Sequence, residues 1–171
     1  MTKEVGRCSQ CKTLVEEAKL VFIDDTAFCA GCIYDNSEPF EIYPIGIVRN
    51  NISRDLDTEF GRMGDPEQES RIELFNSQKP FMYRLEEEEY LTVIFYLHRA
   101  KWPRSVINRE TDLKEVGIFA SRSPDRLSRI AVTDVRLTRI EGTTLFVTGL
   151  DAIDGSPVLD IKYKGQKGES R

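Results

Sequence analysis

The chain has 171 residues, with 24 Lys and Arg against 29 Asp and Glu, for a formal net charge of −5 at pH 7. That length suits one core-forming domain with a small appendage, and 40% hydrophobic with 31% charged residues excludes a chain disordered throughout and a membrane identity. The acidic balance argues against sequence-blind nucleic-acid binding, which comes with a basic footprint, while leaving room for a local basic patch.

Met1-Thr2-Lys3-Glu4 lacks the apolar stretch of a secretory signal, and the longest apolar runs, such as Leu91 to Leu97, fall far short of the roughly 20 residues that span a bilayer. A cytoplasmic location is expected. All four cysteines then fall in the first 32 residues, as Cys8-x2-Cys11, seventeen residues, and Cys29-x2-Cys32. Two Cys-x-x-Cys turns brought together by a hairpin supply the four thiolates of one tetrahedral Zn2+, and a site closed by four cysteines is structural rather than catalytic. The competing readings are weaker. Disulfides suit an oxidising compartment, and a redox dithiol explains neither the second pair nor the missing βαβ pattern. Thr13 to Glu17 and Lys19 to Asp25 read as short strands, the second ending in an Asp24-Asp25 turn. So small a unit, residues 1–36, builds no adequate core and needs the metal. Asp35 to Pro39 reads as a linker.

Residues 40–164 read as short Val-, Ile-, Phe- and Tyr-rich segments between turn signals. Strands are expected at Ile42 to Arg49, Arg71 to Leu74, Tyr90 to Leu97, Val116 to Ala120, Ile130 to Ile140, Thr144 to Thr148 and Val158 to Tyr163. Tyr90 to Leu97, apolar and unbroken, is the expected central strand. Residues 50–69 read as a mobile loop, and Arg84 to Glu89 as one or two helical turns with a solvated acidic face. Hairpin turns are expected at Glu141-Gly142 and at Asp154-Gly155-Ser156-Pro157, and residues 165–171 as a disordered tail. On the last strand, alternation places Asp160 and Lys162 side by side on the face of Val158. The fold class is mainly β: a small closed antiparallel β-barrel preceded by a zinc ribbon.

The loop Ser121-Arg122-Ser123-Pro124-Asp125-Arg126-Leu127-Ser128-Arg129 gathers three arginines and three hydroxyls, and a guanidinium fork suits a carboxylate or phosphate. A solvated basic loop is the plainer reading. Asp151 and Asp154 stand around the turn before Asp160, where carboxylates can accept from ribose hydroxyls or simply shape a turn. His98, the only histidine, ends the apolar strand as a rim residue or a base. Trp102-Pro103 beside it could stack a base or pack. No Gly-x-Gly-x-x-Gly, P-loop or Gly-x-Ser-x-Gly is present, which argues against a Rossmann site and a hydrolase triad.

Ile42 to Arg49, Ser70 to Leu74, Val93 to Arg99, Val116 to Arg126 and Gly149 to Lys162, in that order, resemble the TsaA-like family, also called TrmO, over roughly residues 42–163. The Arg-Ser-Pro-x-Arg loop and the Leu-Asp-x-x-Asp-Gly-x-Pro-Val-Leu-Asp-Ile-Lys run carry the likeness. The resemblance implies a small β-barrel methyltransferase that uses S-adenosylmethionine, forms a homodimer with the cofactor near the subunit interface, and methylates N6-threonylcarbamoyladenosine beside the anticodon of certain tRNAs. It implies that Arg122, Ser123, Pro124 and Arg126 line the cofactor site, with Asp151, Asp154, Asp160 and Lys162 nearby. His98 is the available base for the N6 proton. This chain departs from the family where Arg-Pro-Asn-Pro-Ile-Gly becomes Arg126-Leu127-Ser128-Arg129-Ile130-Ala131, with two stiffening prolines lost. Arg104, Arg109, Arg122, Arg126, Arg129, Arg136 and Arg139 are the residues that a tRNA reading needs in one groove. The ribbon, an addition to the family pattern, could hold substrate, a partner protein or the second subunit. The other functional classes are a non-catalytic module binding S-adenosylmethionine or another small ligand, and a methyltransferase with a small-molecule or protein acceptor.

Overall fold

The computed structural model describes residues 4–52, 68–109 and 111–165. The centre of the expected 50–69 loop and nearly all of the expected tail lie outside these residues. In chain order the strands are β1 (Val5–Arg7), β2 (Leu14–Glu16), β3 (Leu20–Ile23) and β4 (Thr26–Cys29), followed by the short helix α1 (Ala30–Tyr34). Next come β5 (Gly46–Arg49), β6 (Glu69–Leu74), β7 (Tyr90–Tyr96), β8 (Val106–Asn108) and β9 (Glu115–Gly117), then β10 (Ile130–Glu141), β11 (Thr144–Thr148) and β12 (Pro157–Tyr163). The chain gathers into two compact units: residues 1–41 with 99–129, and residues 42–98 with 130–171.

The second unit is a closed antiparallel barrel in the order β10-β11-β6-β5-β12-β7. Its strands alternate as a barrel requires, one side inward and the other out. On β7, Leu91, Val93 and Phe95 are buried while Tyr90, Thr92, Ile94 and Tyr96 are not. The inward set joins Val48, Ile72, Val135, Leu145, Val147 and Val158 in one apolar core. β7 pairs with both β10 and β12, so the unbroken apolar run is central, as expected. The Glu141-Gly142 hairpin also forms, Gly142 supplying a φ of +65°.

Four expectations change. The strand expected over Ile42 to Arg49 forms only in its second half, β5 beginning at Gly46. Val116 to Ala120 is not one strand: β9 stops at Gly117 and Ile118–Ala120 winds into a 3-10 turn. The turn at Asp154-Gly155 forms, with φ +79° at Gly155, but it joins no hairpin, because β12 pairs with β5 and β7 rather than with β11. Alternation also breaks on β12. A bulge between Val158 and Asp160 leaves Val158 fully buried while Asp160 and Lys162 face outward together.

The first unit is smaller-cored. β1 pairs with β2, and β3 with β4 through the Asp24-Asp25 turn, where both residues take positive φ. Segment 99–129 adds the hairpin of β8 and β9. It joins the ribbon at two places. The Trp102 and Phe22 rings lie 5.1 Å apart, and the Asp24 carboxylate accepts from the backbone N–H of Ser105 at 3.2 Å and from its hydroxyl. Cys8, Leu20, Pro103 and Ile118 are the buried apolar side chains of this unit among the described residues.

Candidate functional site

The connection between β1 and β2, the end of β4 and helix α1 bring the Sγ atoms of Cys8, Cys11, Cys29 and Cys32 within 4.8 Å of one another, all as free thiols. Four sulfurs about 2.3 Å from a shared tetrahedral ion stand about 3.8 Å apart; Cys11 and Cys29 are 3.7 Å apart. The donor set therefore fits one tetrahedral metal. The backbone N–H of Cys11, and then that of Cys29 at 3.3 Å, point at the Cys8 sulfur and lower its pKa to about 6 despite burial. Cys32 moves the other way, to about 12, chiefly through its hydrogen bond with Cys29, as expected where four thiols share one small space.

The arginine loop of the first unit is held by its own polar groups. Arg126 turns inward, Nε donating to the Ser123 carbonyl at 2.9 Å and a terminal nitrogen to the Ser121 carbonyl at 2.7 Å. Its backbone N–H reaches the Pro124 carbonyl at 2.8 Å. The Ser121 hydroxyl donates to the Ile118 carbonyl and accepts from Ser123 N–H, while the Ser123 hydroxyl accepts from Asp125 N–H. Arg129, where the family pattern has proline, adopts a φ of +51°. These hydrogen bonds hold residues 121–126, and the φ of Arg129 is one that proline cannot adopt, so the backbone beyond Arg126 departs from a proline-stiffened course. Arg122 is exposed and has no hydrogen-bond or ion-pair partner among the described residues, so its fork is available to an anion.

The second unit holds the carboxylates and His98. Asp154 Oδ1 accepts from Asn50 N–H at 3.1 Å. Asn50 in turn donates to the Ser70 hydroxyl at 3.0 Å and the Ala152 carbonyl at 2.9 Å. These bonds tie the segment after β5, the β6 strand and the 150–156 loop together. Asp151 is exposed and accepts from the Thr133 hydroxyl. Asp160 and Lys162 form a 2.6 Å ion pair on the barrel wall, which satisfies each with the other. His98 is half-buried against the turn, with Nδ1 3.4 Å from the Ser156 hydroxyl and Nε2 3.7 Å from where a Cβ on Gly155 would stand.

The structure thus brings Arg122, Ser123, Pro124 and Arg126 together in one unit and gathers Asp151, Asp154 and His98 around one loop of the other. Asn50, Ser70 and Ser156 escaped the sequence reading. Ser70 and Ser156 are each 1% exposed, and a buried serine has no sequence signal beyond its place beside a motif. The arginines divide: Arg109 pairs with Asp112 at 2.6 Å, Arg136 with Glu89 at 3.2 Å, and Arg139 with Glu69 and Glu141. Two open concavities of about 370 Å3 lie on the barrel, one beside Lys79 and Tyr83 and one beside Arg49 and Glu73. Neither includes a predicted site residue. No helix among the described residues is long and apolar enough to cross a membrane.

The family described as the tRNA-methyltransferase O N-terminal domain matches residues 59–165, which takes in both motifs and most of the barrel. The chain belongs to the TrmO family. A Pyrococcus abyssi protein named a probable S-adenosyl-L-methionine-binding protein is 29% identical over 119 residues, 70% of this chain and 65% of that one. A tRNA (adenine(37)-N6)-methyltransferase of Mus musculus is 33% identical over 95 residues, 54% of this chain and 22% of that enzyme. A crystal structure of TrmO superposes with a TM-score of 0.62 at 26% identity, covering 78% of this chain and 61% of that one. The chain therefore spans less than two thirds of each of these proteins. Its ribbon lies outside the segment that the family matches.

Proposed function

We propose that the chain is an S-adenosylmethionine-dependent methyltransferase acting on tRNA, with N6-threonylcarbamoyladenosine beside the anticodon as methyl acceptor. Family membership with both motifs present supports this reading, and the observation that carries it is the division of labour in the loop. Arg126 is occupied in holding the loop's shape, which leaves Arg122 open to pair with the cofactor carboxylate.

Bound S-adenosylmethionine supplies a methyl group already activated on a sulfonium, so the chain's own task is to position and to exclude. Ser123 and Pro124 shape the loop around Arg122. Asp151 offers the oxygen not engaged by Thr133 to a ribose hydroxyl, and Asp154 holds the 150–156 loop through Asn50. Asp160 and Lys162 neutralise each other on the barrel wall. His98, oriented by Ser156, takes the N6 proton. The four cysteines hold one structural Zn2+, and the protein works as a homodimer in the cytoplasm, with the ribbon free to meet a protein partner.

Modified nucleosides in tRNA from cells with and without the gene test the assignment. Loss of the methylated form of N6-threonylcarbamoyladenosine, with its unmethylated parent accumulating, is expected. An unchanged profile removes the tRNA reading and favours a binding module or another acceptor.

A further inference from the structure

We propose that the turn Lys101-Trp102-Pro103-Arg104 is a contact for single-stranded RNA, with Trp102 as the stacking platform for one unpaired base and Lys101 and Arg104 as its phosphate contacts. This rests on the tRNA reading and gives it a surface.

The chain's single tryptophan is 58% exposed, although so large an apolar side chain ordinarily packs away. It is nevertheless held. Phe22 of β3 lies against it, ring centroids 5.1 Å apart at 59°. The residues that follow are pinned at several points: Pro103 is buried, Arg104 N–H donates to the Asp125 carbonyl at 3.0 Å, and Ser105 is gripped by the Asp24 carboxylate through both backbone and hydroxyl. Ile118 N–H also donates to the Ser105 carbonyl at 2.9 Å. The turn is therefore fixed by backbone and neighbours while its indole stays open to solvent.

Lys101 and Arg104 flank that indole in sequence, and both are exposed, with no side-chain ion pair or hydrogen bond among the described residues. Several other cations among the described residues are engaged in ion pairs, Arg109, Arg136 and Arg139 among them. Charge favours an anionic partner here. Segment 99–129 carries eight Lys and Arg against four Asp and Glu, in a chain whose net charge is −5. An aromatic face between free cations matches how unpaired nucleotides are held, by stacking together with backbone neutralisation, whereas a base inside a duplex keeps its faces covered. An apolar protein patch would gain nothing from the two cations. Phe22 and Asp24 both come from the ribbon, which lies outside the family match. The ribbon's task, on this inference, is to build and orient the platform.

Because Trp102 is the only tryptophan, its fluorescence reports its own contact. The probe is an RNA stem-loop with an unpaired loop, titrated into the metal-loaded full chain, beside a blunt duplex of the same stem. Quenching by the stem-loop and not by the duplex is expected. With affinities read from the anisotropy of a dye-labelled stem-loop, since these variants lack the indole, Trp102→Ala is expected to weaken binding about tenfold, and Trp102→Phe, which keeps a stacking face, by no more than about threefold. The double change Lys101→Ala with Arg104→Ala tests the surface without touching the Phe22 contact, and should lower the slope of log affinity against log salt by about 1.4. Unaltered stem-loop affinity in the Trp102→Ala and double variants, or equal quenching by the duplex, overturns the proposal. Calorimetry with S-adenosylmethionine on the same samples separates the two readings. Cofactor binding without stem-loop quenching overturns the platform and leaves the methyltransferase standing; quenching without cofactor binding does the reverse.

Discussion

The barrel and the ribbon unit are held together by different physics. The barrel buries a contiguous set of Val, Ile, Leu and Phe side chains, several of them fully, and closes its sheet so that no strand edge is left unpaired. The ribbon with segment 99–129 has little apolar core and depends on short-range devices: four clustered thiols, an Asp24–Ser105 clasp and an arginine that hydrogen-bonds its own loop. The weaker-cored unit also carries Arg122, Lys101, Trp102 and Arg104. Contacts proposed for a ligand stay outside a core, and the unit that would present them takes its shape from polar contacts and clustered thiols instead.

Removing the metal should break this contrast most completely. With a chelator, amide protection is expected to vanish across residues 4–41 and 99–109 while the barrel strands keep theirs, since structural zinc in small domains supplies about 10 kcal/mol of folding free energy. Uniform loss in both units would contradict the difference drawn between them. The barrel has its own breaking point. Phe95→Ala removes a side chain that is 1% exposed and should cost about 3–5 kcal/mol in denaturant unfolding, leaving metal content unchanged.

Arg126→Ala sharpens the comparison inside the ribbon unit. It removes two charge-assisted bonds to carbonyls and should raise amide exchange over residues 121–129 by about tenfold or more, without shifting barrel unfolding. Arg122→Ala, by contrast, should leave exchange in the loop unaltered. The smallest effect concerns Asp112, whose hydrogen bond from Arg109 holds its carboxyl below the ordinary aspartate range. The depressed value means that this pair's contribution is complete above that range and fades as pH falls through the lowered pKa. Carboxyl chemical shifts should show Asp112 titrating low and returning to the ordinary range in Arg109→Ala.

How far the sequence disclosed these two units follows from the same contrast. Strands that bury one face announce themselves by alternation, and so Tyr90 to Tyr96, Thr144 to Thr148 and most of Ile130 to Glu141 were legible. β1, β4 and β8 were not, because three or four residues with one exposed face give no period. The bulge at Val158–Asp160 reversed one face of β12, and only the partner strand's register reveals it. The cysteine spacing declared its cluster at once. The arginine loop was readable as a feature, but composition does not tell which guanidinium turns inward, and the clasp between Asp24 and Ser105 joins residues 81 apart in the chain.

Calorimetric titration of the metal-loaded protein with S-adenosylmethionine, run beside Arg122→Ala, tests the central claim most directly. The account predicts saturable binding to the wild-type chain and a loss of about tenfold or more in Arg122→Ala, as expected for one charge-assisted bond to a carboxylate. No heat of binding to wild-type protein whose fold and metal are intact, or equal affinity in the variant, would contradict it.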